Sequence, residues 1–151
     1  MVTAWRLTKT KYLSTAWDGE GARRAGARWN GVGTAVVYVS GTLSLALLET
    51  LVHVSSGVLP AYTAVPVEFD ASLVTILEAK DLPADWKANP VPPITQAIGD
   101  RWAAESRTAA LRVPSVVVPS EFNFALNPKH PDFVRIRIGT PIPFPFDLRL
   151  L

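Results

Sequence analysis

Gly26-Ala27-Arg28-Trp29-Asn30-Gly31-Val32-Gly33 runs into Thr34-Ala35-Val36-Val37-Tyr38-Val39-Ser40 and then into Gly41-Thr42-Leu43-Ser44-Leu45-Ala46-Leu47-Leu48-Glu49. The first block is turn-rich, because three glycines in eight residues let the backbone bend tightly and approach a ligand closely. The second is rich in β-branched residues and reads as a strand over Thr34 to Ser40. In the third, Leu43, Leu47, Leu51 and Val54 recur at helical spacing, so a helix is expected from Leu43 to about Ser55, capped by Ser40 or Thr42 and ended by Gly57 and Pro60. The glycines precede the strand. A dinucleotide fingerprint of the Rossmann type needs them between a strand and the following helix, so that fold is not indicated.

Outward from this unit the chain reads as short strands and ordered loops. None of the 13 prolines occurs before Pro60, and each one beyond it removes a backbone donor. Ala4 to Leu7 reads as a first strand and residues 8–25 as a loop with some helix. Tyr62 to Phe69 alternates, with Tyr62, Ala64 and Pro66 opposite Val65, Val67 and Phe69. Leu73 to Leu77, Val113 to Val118, Phe122 to Leu126 and Phe133 to Ile138 are further expected strands. Ile94 to about Arg107 is a second helix with Ile94, Ile98, Trp102 and Ala103 on one stripe, and Pro141 to Leu151 is a proline-rich tail. Alternation of this kind suits half-solvated, mainly antiparallel sheets, and the expected class is α+β.

With 151 residues the chain is expected to form one domain over residues 1–151. A domain of that size buries roughly 70% of the surface of its unfolded chain, enough for a core without staples. The absence of cysteine removes disulfides, thiolate metal sites and a Cys nucleophile, and with only two histidines, His53 and His130, a histidine-rich metal site is not expected. Met1 to Arg6 lacks the apolar centre of a signal peptide, and no run nears the roughly 18 apolar residues of a spanning helix, so a cytoplasmic protein without membrane contact is expected. The net charge is +2, and Arg6, Lys9, Lys11, Arg23, Arg24 and Arg28 face only Asp18 and Glu20 before residue 30. With few Lys/Arg runs, this suits a small anionic ligand better than direct nucleic-acid binding.

Arg28 offers a planar fork for a phosphate, against the plainer reading of a Gly-rich turn with a surface arginine. Tyr38 can stack on a flat ring or simply pack in the core. Glu49 is the only acid in its helix, where a charge is costly unless partnered or lining a cleft. Ser115 has no adjacent base and no Gly-x-Ser-x-Gly elbow, so it is a hydrogen-bonding candidate, not a nucleophile. A phosphate grip, an aromatic platform and one carboxylate together suit holding a dinucleotide and cleaving it at a ribose.

Taken in order, Trp5-Arg6, Gly26 to Asn30 with Gly33, Val37 to Ser40, Ala46 to His53, Val113-Pro114-Ser115 and Asn127-Pro128-x-His130-Pro131 resemble the RES domain of RES–Xre toxin–antitoxin pairs, from Trp5 to about Ile138. The resemblance implies a fold like that of ADP-ribosyltransferase toxins and depletion of cellular NAD. It puts the family's arginine on Arg28, its tyrosine on Tyr38, its glutamate on Glu49 and its serine on Ser115, with Ser120 a rival. Arg6 is a candidate second phosphate ligand. On this reading NAD is a substrate and no cofactor is expected. The implied partner is an Xre-like helix-turn-helix antitoxin, with a homodimer inside that complex left open. Two other readings stand beside it, a toxin ribonuclease and a non-catalytic nucleotide-binding module. The five lysines and the weak net charge speak against a long phosphate-tracking groove.

Overall fold

Residues 1–54 and 59–151 are described by the computed structural model, so the expected helix stop at Gly57 lies outside the described residues. The strands are β1 (Val2–Lys9), β2 (Val37–Ser40), β3 (Tyr62–Phe69), β4 (Val74–Ile76), β5 (Ala110–Pro114), β6 (Phe122–Leu126), β7 (Arg137–Ile138) and β8 (Ile142–Phe144). They form one sheet in the order β4-β5-β6-β2-β1-β3-β7, with β8 also paired to β3. Among the described residues β4 and β5 pair in parallel and the other pairs are antiparallel. The helices are α1 (Glu20–Ala25), α2 (Leu43–Leu51) and α3 (Pro93–Glu105). The class is α+β with a mainly antiparallel sheet, as expected.

Alternation along the central strands splits the apolar side chains between the two faces. Val37, Val39, Phe124 and Leu126 join Ala4, Val67, Phe69 and Ile136 in one cluster. Tyr38 and Ala125 belong to the other, with Leu111, Val113 and three tryptophans, Trp29, Trp86 and Trp102. Trp102 comes from α3 and Trp29 from the Gly-rich turn, while Trp86 lies in the connection between β4 and α3. These three segments therefore cover the sheet face that carries Tyr38.

Thr42 is the cap of α2: its hydroxyl accepts from Leu45 N at 3.0 Å. The helix stops at Leu51 rather than near Ser55. His53 N and Val54 N bond back to Thr50 O and Leu51 O, three residues behind, which tightens the end into a turn. α3 keeps its expected span, but its buried side is Thr95, Gly99 and Trp102, while Ile94 is 47% exposed. The stripe is rotated because Gly99 sits against the Trp29 backbone, where any larger residue would hold the helix away.

Two expected strands give way to side-chain hydrogen bonding. In place of Val113 to Val118, β5 ends at Pro114, because Ser115 Oγ accepts from the amides of Val117 at 3.1 Å and Val118 at 3.0 Å and folds the apolar run into a turn. In place of Phe133 to Ile138, a 3₁₀ turn occupies Pro131–Arg135. His130 caps it through Nδ1 accepting from Asp132 N at 2.9 Å, leaving Val134 86% exposed and only Arg137–Ile138 as strand. Within the C-terminal tail, Ile142–Phe144 adds β8 against Tyr62, Thr63 and Ala64.

Candidate active site

The site is assembled at the end of β2. α1 terminates at Gly26, whose φ of 71° and ψ of 162° turn the chain in a way that L side chains resist, and its amide bonds back to Ala22 O. The turn that follows closes through Ala27 N donating to Asn30 O at 2.9 Å. Asn30, which closes it, is fully buried. Its amide nitrogen lies 2.9 Å from Ala22 O, 3.1 Å from Gly31 O and 3.1 Å from Thr34 O, and its amide oxygen accepts from the Tyr38 hydroxyl at 2.6 Å. The Tyr38 phenol is thereby fixed, and burial raises its pKa far above the ordinary tyrosine value, so it stays neutral.

Arg28 projects from the same turn. Its Nη1 donates to Trp86 O and Ala88 O, both at 2.9 Å, and so ties the β4–α3 connection to the Gly-rich turn. Partial burial lowers its pKa, and the negative charge of Glu49 counters that shift. Nε and Nη2 make no hydrogen bond among the described residues, which leaves half of the fork available to an anion.

Glu49 comes back over the sheet on α2. Its Oε2 accepts from Asn123 Nδ2 at 2.8 Å and its Oε1 faces Ser115 Oγ at 3.5 Å. Burial pushes the carboxyl above its ordinary pKa. Asn123, His53, Ser115 and Arg28, in that order, act to bring it down. Ser115 is fully buried and its oxygen already receives two backbone amides, so its proton is turned toward Glu49. Ser120 is exposed and has no bond to Glu49; it borders a groove of about 430 Å³ with Arg112 and Phe122 on the opposite face of the sheet. Of the two serines, Ser115 is the one the fold brings to the carboxylate.

Arg6 lies beside this set. Its Nη1 donates to Tyr38 O at 2.9 Å, its guanidinium sits 5.9 Å from the Trp17 ring centre, and burial lowers its pKa to about 10 against the opposing charge of Asp18. Its Nε is buried without a partner among the described residues. The guanidinium thus braces the backbone carbonyl of Tyr38.

Asn123 was not singled out from the sequence, although a signal was there: a polar residue of low strand propensity stands between Phe122 and Phe124 in an otherwise apolar strand. The carbonyls of Trp86 and Ala88 carry no sequence signal, since every residue has one.

On this α+β fold the Gly-rich turn, β2 and α2 carry an arginine, a neutral tyrosine and a partnered carboxylate, and these make up the candidate site. The RES domain profile matches residues 3–147, and the chain belongs to the RES domain family. Similar proteins include Toxin Res of Yersinia enterocolitica, 38% identical over 97% of each chain, and Toxin Res of Photorhabdus laumondii, 40% identical over 97% of this chain and 96% of that one. The Prs ADP-ribosylating toxin of a Sphingobium species is 39% identical over 97% of this chain and 95% of that one. A chain from the crystal structure of the M. tuberculosis MbcT–MbcA toxin–antitoxin complex superposes with a TM-score of 0.73, covering 94% of this chain and 83% of that one. At 18% identity that likeness shows a shared fold.

Proposed function

We propose that this chain is the toxin of a toxin–antitoxin pair and that it depletes NAD by cleaving the bond between nicotinamide and ribose. The observation that carries the reading is the Glu49 carboxylate, held by Asn123 and Ser115 within the field of Arg28. The names of the relatives, Toxin Res and Prs ADP-ribosylating toxin, point the same way.

Nicotinamide leaves as a neutral ring, and the ribose carbon behind it becomes oxocarbenium-like, as in other glycoside cleavages. Glu49 stabilises that positive charge. The free edge of Arg28 holds the pyrophosphate, and Tyr38 offers its ring to the nicotinamide or fixes the ribose. Ser115 supports Glu49 and is a hydrogen-bond donor for the ribose or the carboxamide if the carboxylate shifts. Arg6 is the candidate second phosphate ligand. NAD is consumed as a substrate on this reading, without a cofactor. The acceptor is water, phosphate or a protein side chain; the name of the Sphingobium relative favours testing the last first.

An enzyme of this kind would poison its own cell, so a co-produced inhibitor is required, here an Xre-like helix-turn-helix antitoxin. A carboxylate-bearing terminus of that protein would imitate the NAD phosphates at Arg28, drawn by the basic N-terminal third. No helix among the described residues is long and apolar enough to cross a membrane, which is compatible with action in the cytoplasm, where NAD is plentiful. The test is incubation of the purified chain with NAD and, separately, with RNA, products being identified by mass. Loss of NAD with release of nicotinamide is expected, along with growth arrest on expression alone and relief by the co-expressed neighbour. Consumption of RNA alone would replace this reading by a ribonuclease, and consumption of neither by a binding module.

Arg28→Lys is expected to weaken NAD binding about 10- to 100-fold, the scale of losing a charge-assisted bond. A compact ammonium lacks the planar fork that presents one edge to the Trp86 and Ala88 carbonyls and another to a pyrophosphate. Calorimetric titration with NAD measures it; a variant binding as tightly as the parent would make Arg28 a loop tether only.

A further inference from the structure

Asn123 is buried near the start of β6, on the sheet face that carries Tyr38. The β2–β6 register puts Ser40 directly across from it, and the pair is joined by Ser40 Oγ donating to Asn123 Oδ1 at 2.6 Å. On its other side Asn123 Nδ2 donates to Glu49 Oε2 at 2.8 Å. α2 begins three residues after Ser40 and returns Glu49 over the pair, so the strand pairing and the helix start jointly set the geometry.

The amide has one usable orientation. A carboxylate only accepts, so the NH₂ must face Glu49 and the carbonyl must face Ser40. Turning it over would set a carbonyl oxygen against a carboxylate oxygen. The second carboxylate oxygen is steered by Ser115, which has spent its lone pairs on the Val117 and Val118 amides. Glu49 thus meets one donor at each oxygen, and the closer one is Asn123.

We propose that Asn123 is the positioning residue of this site: oriented by Ser40, its amide locks the Glu49 carboxylate in a single rotamer, presented to the cationic centre that forms on the substrate. The proposal rests on the reading of Glu49 as the catalytic carboxylate. The charged groups facing Glu49 are Arg28 from the Gly-rich turn and His53 one helical turn on; both favour the anion, and burial opposes it. Asn123 heads the groups that offset burial, so its loss should move the carboxyl further up.

Two variants of the full chain test this. Asn123→Leu keeps the size of the side chain and removes both bonds. Ser40→Ala, the milder change, removes only the bond that orients the amide. For Asn123→Leu, kcat for NAD consumption is expected to fall about 10- to 100-fold, as for loss of a hydrogen bond to a charge, with KM held within about threefold. The acid limb of the kcat profile should move to higher pH, and Ser40→Ala should move it the same way by less. A residue with a merely structural role would lower the melting temperature without moving that limb. The carbon-13 titration of the Glu49 carboxyl reads the same displacement without any turnover, so it decides the matter even if the parent leaves NAD untouched and the proposed activity fails. If Asn123→Leu does not fold, Ser40→Ala decides. A Glu49 titration and an acid limb unmoved in the folded variants would overturn the proposal.

Discussion

A Glu49→Gln protein is expected to fold, to bind NAD, and to turn it over about 100- to 1,000-fold more slowly, a loss of roughly 3–4 kcal/mol of transition-state stabilisation. The isostere keeps an acceptor for Asn123 Nδ2 but carries no charge to meet an oxocarbenium-like ribose. Because burial raises the Glu49 pKa, the sign of the stability effect is also fixed. A carboxyl whose folded pKa lies above its unfolded value favours the folded state fully at low pH. That advantage is lost as pH climbs from the unfolded pKa through the folded one. At neutral pH the charged Glu49 therefore costs stability, and Glu49→Gln should melt at the same temperature as the parent or higher. Activity of the parent should fall as acid protonates Glu49, and burial should set the midpoint above the ordinary glutamate value. Steady-state kinetics, a thermal melt and a pH–rate profile check all three. Near-normal turnover by the folded variant would remove Glu49 from the mechanism.

The local chemistry of the chain was readable where neighbours in sequence carry it. Arg28, Tyr38 and Glu49 fall within one turn–strand–helix unit, and the unit forms in that order with Thr42, one of the two cap candidates, as the cap, although the strand begins at Val37 rather than Thr34 and the helix ends at Leu51. What could not be read is what arrives from far along the chain. Asn123 lies 74 residues from Glu49, and the carbonyls that hold Arg28 lie 58 and 60 residues from it. The apolar run Val113–Val118 and the alternation at Phe133–Ile138 were misleading, because one serine and one histidine offered the backbone nearer partners than a neighbouring strand. The buried side of α3 was displaced for a related reason: the helix is placed by where a glycine lets it touch the Gly-rich turn, not by its largest apolar side chains.

That contact yields the second large expected effect. A Cβ on residue 99 would fall on the Trp29 carbonyl oxygen and within 2.6 Å of its carbonyl carbon. The obstacle is backbone, so no rotamer change relieves it. The turn is also pinned to α3 on either side of Gly99. Gln96 Nε2 donates to Ala27 O at 3.1 Å, and Asp100 Oδ1 accepts from Gly31 N at 2.9 Å. Moving α3 away would loosen both bonds, separate Trp29 from Trp102, and release the segment that carries Arg28 and Asn30. Gly99→Ala is therefore expected to cost about 3 kcal/mol or more, at or above the upper end for core overpacking. For a chain of this size that is a fall of about 6–12 °C in melting temperature. NAD binding should fall with it, because Arg28 loses its placement. Gly21→Ala is the control: its added Cβ meets nothing within 4 Å, and alanine in α1 should be neutral or stabilising by up to about 1 kcal/mol. A Gly99→Ala protein melting with the parent would mean that α3 and the Gly-rich turn can part without harm, and the site would then have to be held by Asn30 and the Arg28 tether alone.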